Sequence, residues 1–217
     1  MNTPLKLIGL AKKYNSKEAV RDISFEVNKN EIIGILGPNG CGKTTTIGMI
    51  LGLLKPTKGK VVINGTDIEN QRVNILDQLN FISPYIELPK KLSVKQNLEV
   101  YGRLYDVQNL DTKIEYLSEK LRLGKIINKI TGELSSGQKN RVSLAKSIIN
   151  DPTILLLDEP TASLDPETGD FVRSFLEEYQ KEKKTSILLA SHNMAEVERL
   201  CSSVLMMNKG SIIDQGT

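Results

Sequence analysis

The sequence predicts an α/β fold that combines an α/β core, an antiparallel β portion and a helical insert. Residues 37–44 read G-x-x-x-x-G-K-T and lie between a β-branched apolar run and a helical pattern. From residue 153 onward, short apolar strands again alternate with helical patterns, as in a sheet with crossover helices. Between these two parts, residues 85–150 carry mainly helical spacing, which we interpret as an insert.

The first third of the chain reads mostly as strands. Residues 5–27 hold apolar bursts separated by a polar turn, which predicts antiparallel strands beside the core. Residues 31–37, EIIGILG, are typical of a buried strand. A helix follows them and ends at Lys55 and Pro56. Further strands are expected at residues 60–64 and 80–83.

The insert is predicted to contain three helices. The first begins after residue 92, where apolar residues approximate helical spacing. Asp111 is expected to cap the second helix. The third should run over residues 136–149 and stop before Pro152. The apolar face of the second helix is expected to carry Ile114, Leu117 and Leu121.

The last third is predicted to complete the sheet. Residues 153–157, with their unbroken ILLL run, indicate a buried parallel strand, and residues 185–190 indicate another. Residues 204–213 predict a closing hairpin around Asn208-Lys209-Gly210.

Two helix starts can be located among these strands. Asp165 and Pro166 should start one helix as its cap and first-turn proline. Asn193, with Glu196 three residues later, should start the next. The first of these helices is expected to bury Phe171, Val172, Phe175, Leu176 and Tyr179.

Composition and charge narrow the class of protein. With 217 residues, 39% hydrophobic and 25% charged, the chain can form a packed core. A net charge of +3 does not favour nucleic acid as a partner. Cys41 and Cys201 form no disulfide framework, which suits a reducing compartment. The longest apolar run, residues 47–54, is shorter than the ~20 residues that cross a bilayer. Because no secretory signal pattern is seen either, we expect a cytosolic chain unless a partner holds it at a membrane.

The phosphate loop (residues 37–45) carries the first chemical motif. Its glycines allow successive N–H groups to point at one phosphate, and the following helix adds the positive end of its dipole. Lys43 can reach the terminal phosphates, and the Thr44 hydroxyl can ligate Mg²⁺. Cys41 is either a thiolate favoured by the helix start or a small space-filling residue. The candidate nucleotide contacts are Gly37, Pro38, Asn39, Gly40, Cys41, Gly42, Lys43, Thr44 and Thr45.

The second motif is ILLLDEP, residues 154–160. Its strand delivers Asp158 and Glu159 to the carboxyl end of a sheet, where ligands bind in open α/β folds. Asp158 is a candidate for holding Mg²⁺, and Glu159 for polarising an attacking water. Alone, the pair could equally be two solvated carboxylates, but the phosphate loop favours the catalytic interpretation.

The third motif is LSSGQ, the signature segment (residues 134–138). Ser135, Ser136 and the N–H of Gly137 form a second helix start suited to an anion. By itself this segment would be interpreted as an ordinary serine-capped helix. The chain thus carries two helix N-termini suited to binding phosphate but only one phosphate loop.

Together the three motifs resemble the ATP-binding subunit of ABC transporters, in family order and over nearly all of the chain. The resemblance implies an ABC-type P-loop NTPase fold over 1–217. It implies that Tyr14 stacks on adenine, against the alternative of a half-buried strand tyrosine. Asp165 matches the D-loop and His192, the only histidine, matches the switch histidine. The signature residues Ser135, Ser136, Gly137 and Gln138 match with Ser136 in place of glycine.

A second family position also differs in this sequence. Where the family carries a glutamine that touches Mg²⁺ and the attacking water, this chain has Tyr85. A protonated phenol is a poor metal ligand, so we expect Tyr85 to stay outside the inner shell of Mg²⁺.

The resemblance also implies partners and a mechanism. Two chains would form a homodimer or heterodimer around two ATP and pass motion to separate integral membrane subunits at the cytoplasmic side of the membrane. Residues 92–107 look similar to ABC-2-type exporters, and no nucleic acid partner is expected. Two alternatives stay open: a soluble ABC ATPase that acts on nucleic acid or ribosomes, and a catalytically weak partner in a heterodimer.

Overall fold

The computed structural model describes residues 3–70, 75–84 and 86–217. The expectation for Tyr85 therefore lies outside the described residues. The strands are β1 (Leu5–Tyr14), β2 (Lys17–Val27), β3 (Ile32–Leu36), β4 (Lys58–Ile63), β5 (Thr66–Asp67), β6 (Leu79–Ile82), β7 (Ile154–Asp158), β8 (Ser186–Ser191), β9 (Ser203–Asn208) and β10 (Ser211–Gly216). The α-helices whose bounds lie within the described residues are α1 (Lys43–Ile50), α2 (Val94–Leu104), α3 (Leu110–Lys120), α4 (Ser136–Ser147), α5 (Pro166–Lys183) and α6 (Met194–Leu200).

The strands form one antiparallel and one mostly parallel sheet. The antiparallel sheet has the order β2-β1-β4-β5, as expected for residues 5–27. The second sheet has the order β10-β9-β3-β8-β7-β6 and is parallel except for the predicted hairpin of β9 and β10. Since β3, β7 and β8 are parallel neighbours, the segments that follow them leave the sheet at the same edge.

The parallel sheet separates two apolar layers. Ile154 and Leu156 of β7 pack with α1 and the antiparallel sheet, whereas Leu155 and Leu157 pack with the insert, α5 and α6. This alternation follows from the two-residue period of a strand. Every residue of β7 is buried, which explains why its sequence is an unbroken apolar run ending in Asp158.

The insert contains the three predicted helices, with one correction. Ser93 caps α2 and Ser135 caps α4, each in a reciprocal pair with a glutamine three residues later. The prediction that Asp111 caps α3 is wrong. Asn109 occupies that position with φ +52°, a left-handed conformation that asparagine tolerates, and Asp111 lies within the first turn.

Helix α5 begins as predicted, because the Asp165 carboxylate accepts a hydrogen bond from the Thr168 N–H at 2.9 Å. Val172, Phe175, Leu176 and Tyr179 are buried, but the prediction is wrong for Phe171. Phe171 is half-buried, and the Arg122 guanidinium lies 4.6 Å from its ring centroid. None of the helices in the described part of the chain combines the length and apolar character needed to span a bilayer.

Candidate functional site

A cleft of about 720 Å³ is lined by residues of both sheets and of the phosphate loop. The predicted site residues that line it are Tyr14, Asn39, Gly40, Gly42, Lys43, Thr44, Thr45, Asp158 and Glu159. The fold brings them together because β3 and β7 end at the same edge of the parallel sheet, while β1 supplies Tyr14. Tyr14 is 45% exposed, with Lys12 Nζ 5.1 Å from its ring centroid.

The phosphate loop has a backbone that only glycine adopts easily. Gly40 and Gly42 have φ of +79° and +117°, and Gly42 immediately precedes α1. A Cβ atom at Gly42 would lie 2.7 Å from the carbonyl oxygen of Ala19, so space excludes a side chain as well. The Gly210 N–H donates to the Cys41 carbonyl at 2.8 Å, so the β9–β10 hairpin braces the loop.

Lys43 is held inside this loop. Its side chain is almost buried, and Nζ donates to the carbonyl oxygens of Gly37 at 2.6 Å and Pro38 at 3.4 Å. The same nitrogen lies 3.7 Å from Oε1 of Glu159. A cation is therefore fixed between the loop and a carboxylate, at the point where anionic phosphates would enter.

Thr44 and Asp158 join the loop to the end of β7. The Thr44 hydroxyl donates to Asp158 Oδ2 at 2.9 Å, and Asp158 is 2% exposed. The pKa of Asp158 is raised above its ordinary value, because the effect of burial exceeds the opposite effect of the hydrogen bond from Thr44. Within the described residues, Asp158 Oδ1 has no hydrogen-bond partner. A hydroxyl beside an unsatisfied carboxylate oxygen is a donor set that fits Mg²⁺.

Glu159 and His192 form a pair at the same edge. His192 Nδ1 lies 2.8 Å from Glu159 Oε2, and the side chains are 54% and 14% exposed. Glu159 has φ +52°, and its N–H donates to the Ala190 carbonyl at 2.8 Å. Glu159 directly follows the last residue of β7, and its left-handed conformation turns the chain at the end of the strand.

The signature segment and Asp165 lie elsewhere. Ser135 Oγ accepts from the Gln138 N–H at 3.3 Å, and Gln138 Oε1 accepts from the Ser135 N–H at 3.1 Å. At Gly137 a Cβ atom would lie 3.2 Å from the Thr168 side chain, so α4 and α5 begin close together. Ser135, Ser136, Gly137, Gln138 and Asp165 are absent from the described lining of the cleft. The cleft thus contains the first predicted anion site without the second, although Ser136 and Glu159 both line a neighbouring pocket of about 310 Å³.

Three predicted residues of the phosphate loop, Gly37, Pro38 and Cys41, are absent from the described lining of the cleft, and the side chain of Cys41 is buried. Cys41 is 3% exposed and packs in the apolar layer that contains α1. This placement favours the space-filling alternative for its side chain, while its backbone remains part of the loop.

Sequence reasoning missed several residues around the site, among them four residues of β2 that line the cleft: Lys17, Glu18, Ala19 and Arg21. Lys209 lines the cleft from the β9–β10 turn, and Glu196 lies buried behind the Glu159–His192 pair. The Asn-Lys-Gly turn was a visible signal for Lys209, but only the order of the strands places it beside the phosphate loop. Glu196 carried no signal beyond its place near a helix start.

Comparison with known proteins identifies the family. A model of the ABC transporter family matches residues 20–162. The ABC transporter ATP-binding protein NatA of Bacillus subtilis (strain 168) is 38% identical over 202 residues, covering 92% of this chain and 82% of NatA. The chain belongs to the ABC transporter family. It is an ATP-binding ATPase chain of this family, as the resemblance implied.

Two further ABC proteins agree with this assignment. Nod factor export ATP-binding protein I of Rhizobium johnstonii (strain DSM 114642 / LMG 32736 / 3841) is 37% identical, covering 98% of this chain and 68% of that protein. A solved structure of the ATP binding subunit of an ABC transporter superposes with a TM-score of 0.91 at 28% identity, covering 99% of this chain and 90% of the other. The predicted fold class is confirmed.

Proposed function

We propose that this chain is the ATP-hydrolysing subunit of an ABC exporter and that residues 1–217 act as one nucleotide-binding domain. The observation that carries the proposal is the convergence of Lys43, Thr44, Asp158 and Glu159 on one cleft. The signature segment lies outside that cleft, so a single chain offers only half of the contacts implied by the family. Two chains arranged head to tail would complete two ATP sites.

Each group in the cleft has a proposed task in ATP binding. Lys43 and the loop amides hold the phosphates, and Tyr14 stacks on adenine. Thr44 and Asp158 hold Mg²⁺, which when bound neutralises charge on the phosphate oxygens. The Asp158 Oδ1 atom, which has no hydrogen-bond partner among the described residues, supports this assignment.

Hydrolysis is assigned to the Glu159–His192 pair. Glu159 either accepts a proton from the attacking water or polarises that water. Its carboxylate is suited to this task because Lys43 and His192 hold it from two sides. His192 orients that carboxylate and contacts the terminal phosphate. The short Nδ1 to Oε2 distance favours an active subunit over the catalytically weak alternative that Tyr85 and Ser136 leave open.

The partners follow from the family. Two such chains, alike or different, form the dimer that ATP closes and hydrolysis reopens. The signature residues Ser135, Ser136, Gly137 and Gln138, with Asp165, face the nucleotide held by the partner chain. Integral membrane subunits receive the motion, which places the chain at the cytoplasmic face of the membrane. The export named for the Nod factor relative supports an export direction here.

A steady-state ATPase assay tests the catalytic part of this proposal. Glu159→Gln keeps the shape of the side chain but removes its charge and basicity. Turnover should fall by about two to four decades, the scale of general-base loss. Glu178→Gln is the matched control, because Glu178 is exposed on α5. Glu159→Gln turning over ATP at the rate of the control would remove Glu159 from the role.

Co-purification tests the class of partner. Isolation of the tagged chain in mild detergent should recover a polytopic membrane protein in stoichiometric amount. Recovery of ribosomes or nucleic acid in its place would favour the soluble alternative.

A further inference from the structure

A buried carboxylate lies behind the catalytic pair. Glu196, in the first turn of α6, is 1% exposed. Its Oε1 atom accepts a hydrogen bond from the Thr161 hydroxyl at 2.6 Å, and its Oε2 atom accepts one from the Ser191 hydroxyl at 2.7 Å. The sequence pattern suggested a local helix-start pairing for Glu196, but both oxygens are directed to side chains from other segments.

The two hydroxyls belong to the segments that present the catalytic pair. Thr161 lies two residues after Glu159, in a turn closed by the Ala162 N–H and the Glu159 carbonyl at 3.1 Å. Ser191 immediately precedes His192, and its hydroxyl also accepts from the Asn193 N–H at 3.1 Å. The Glu196 carboxylate therefore holds both turns in place by hydrogen bonds, on the side away from the cleft.

The contacts of Glu196 indicate why a carboxylate is present. Among the described residues, none of the ion pairs includes Glu196, and the hydroxyls of Thr161 and Ser191 satisfy its two oxygens. Burial of such a polar group costs free energy that an apolar side chain of similar size would avoid. A carboxylate, unlike a leucine side chain, can accept hydrogen bonds from two hydroxyls at once.

We propose that Glu196 is a positioning residue for ATP hydrolysis, which holds Thr161 and Ser191 so that Glu159 and His192 remain paired. It does not line the nucleotide cleft, so it acts through the other residues. The proposal rests on the roles proposed above for Glu159 and His192.

Kinetics of two Glu196 variants test the proposal. Glu196→Leu removes both acceptors, and turnover should fall by about tenfold to a hundredfold, the effect of misplacing a catalytic group. KM for ATP and the binding of a fluorescent ATP analogue should stay within about threefold, because the phosphate loop is untouched. Glu196→Gln keeps one carbonyl acceptor and should lose less turnover. Glu198→Leu, exposed on the same helix, should behave as wild type. Unchanged turnover in Glu196→Leu, or an equal loss of turnover and nucleotide affinity, overturns the proposal.

Variants of the donors keep the test usable if Glu196→Leu does not fold. Thr161→Val removes one hydroxyl with little change of shape and should lower turnover several-fold. In a His192→Ala background the same change should cost markedly less, because the pair that it positions is already lost. If the double variant loses turnover by the full product of the two single-variant factors, the proposal is overturned.

One further variant distinguishes a failure of the proposed function from a failure of the positioning role of Glu196. Glu159→Gln is measured in the same assay. If it keeps normal activity, the proposed function fails. If it is inactive while the Thr161 and Glu196 variants keep normal turnover, only the positioning role fails.

Discussion

The imidazole Nδ1 of His192 lies 2.8 Å from Oε2 of Glu159, across the ends of two neighbouring parallel strands. The other oxygen of Glu159 lies 3.7 Å from the Lys43 ammonium. The carboxylate is thus confined between two groups, one from the phosphate loop and one from the strand beside its own. This confinement fixes the direction in which Glu159 can accept a proton.

Loss of the imidazole should affect turnover more than binding. In His192→Ala the Glu159 carboxylate loses the group that orients it, and turnover should fall by about a hundredfold or more. The affinity for ATP should change only a few-fold, since Lys43 and the loop amides are unaltered. ATPase kinetics and equilibrium binding of a fluorescent ATP analogue check this. His192→Ala with wild-type turnover would show that the pair has no catalytic role.

The Mg²⁺ concentration that ATP hydrolysis requires should depend on the Thr44–Asp158 contact. In Thr44→Val the hydroxyl that donates to Asp158 is lost, so the concentration of Mg²⁺ that gives half-maximal ATPase activity should rise at least about tenfold. Thr46→Val is the matched control, because the Thr46 hydroxyl donates to the Gly42 carbonyl inside α1. Excess EDTA should abolish hydrolysis in every variant. Equal Mg²⁺ curves for Thr44→Val and the control would contradict the metal assignment.

Both thiols should react slowly in the folded chain. Cys41 is 3% exposed, and burial raises the pKa of the Cys201 thiol to about 12, so little thiolate forms at neutral pH. Mass spectrometry after brief N-ethylmaleimide treatment should show little labelling in buffer and two labels in guanidinium chloride. Fast labelling of Cys41 that bound ATP prevents would instead place the thiol beside the phosphates.

Lys146 should make stability depend on pH. Its Nζ lies 5.3 Å and 5.0 Å from the ring centroids of Phe81 and Tyr101, and burial lowers its pKa to about 8. In the unfolded chain a lysine titrates near pH 10.4, so between about pH 8 and pH 10 the unfolded state binds more protons. The free energy of unfolding should therefore rise with pH, by up to about 1.4 kcal/mol per pH unit from this residue.

Urea denaturation across this pH range checks the prediction for Lys146. The rise should be absent in Lys146→Met and present in Lys181→Met, whose side chain is exposed on α5. Below about pH 8 both states carry the proton and the contribution of Lys146 becomes constant. Identical pH profiles for the two variants would contradict a buried charge at this position.

Local chemistry made much of the site predictable from sequence. The glycines of the phosphate loop, the Ser135 and Asp165 caps and the apolar run before Asp158 depend on near neighbours in the chain. The error at Asp111 was local, because Asn109 takes the cap position in a left-handed conformation, whereas the other misses involve distant residues. Arg122 covers the face of Phe171, and the order of the strands brings Thr161 to Glu196. The Arg122–Phe171 and Thr161–Glu196 contacts join segments far apart in the chain, so no local pattern carries them, whereas Ser191 lies only five residues before Glu196.

In the proposed dimer, two chains enclose ATP between the phosphate loop of one and the signature segment of the other. Light scattering coupled to gel filtration of Glu159→Gln, with saturating ATP and Mg²⁺, tests it most directly, because slow hydrolysis should trap the closed state. We predict a particle of twice the chain mass with ATP, and a single chain without nucleotide or with Ser135→Arg in the signature segment. A monomer at saturating ATP, or a dimer that ignores both ATP and Ser135→Arg, would contradict the account.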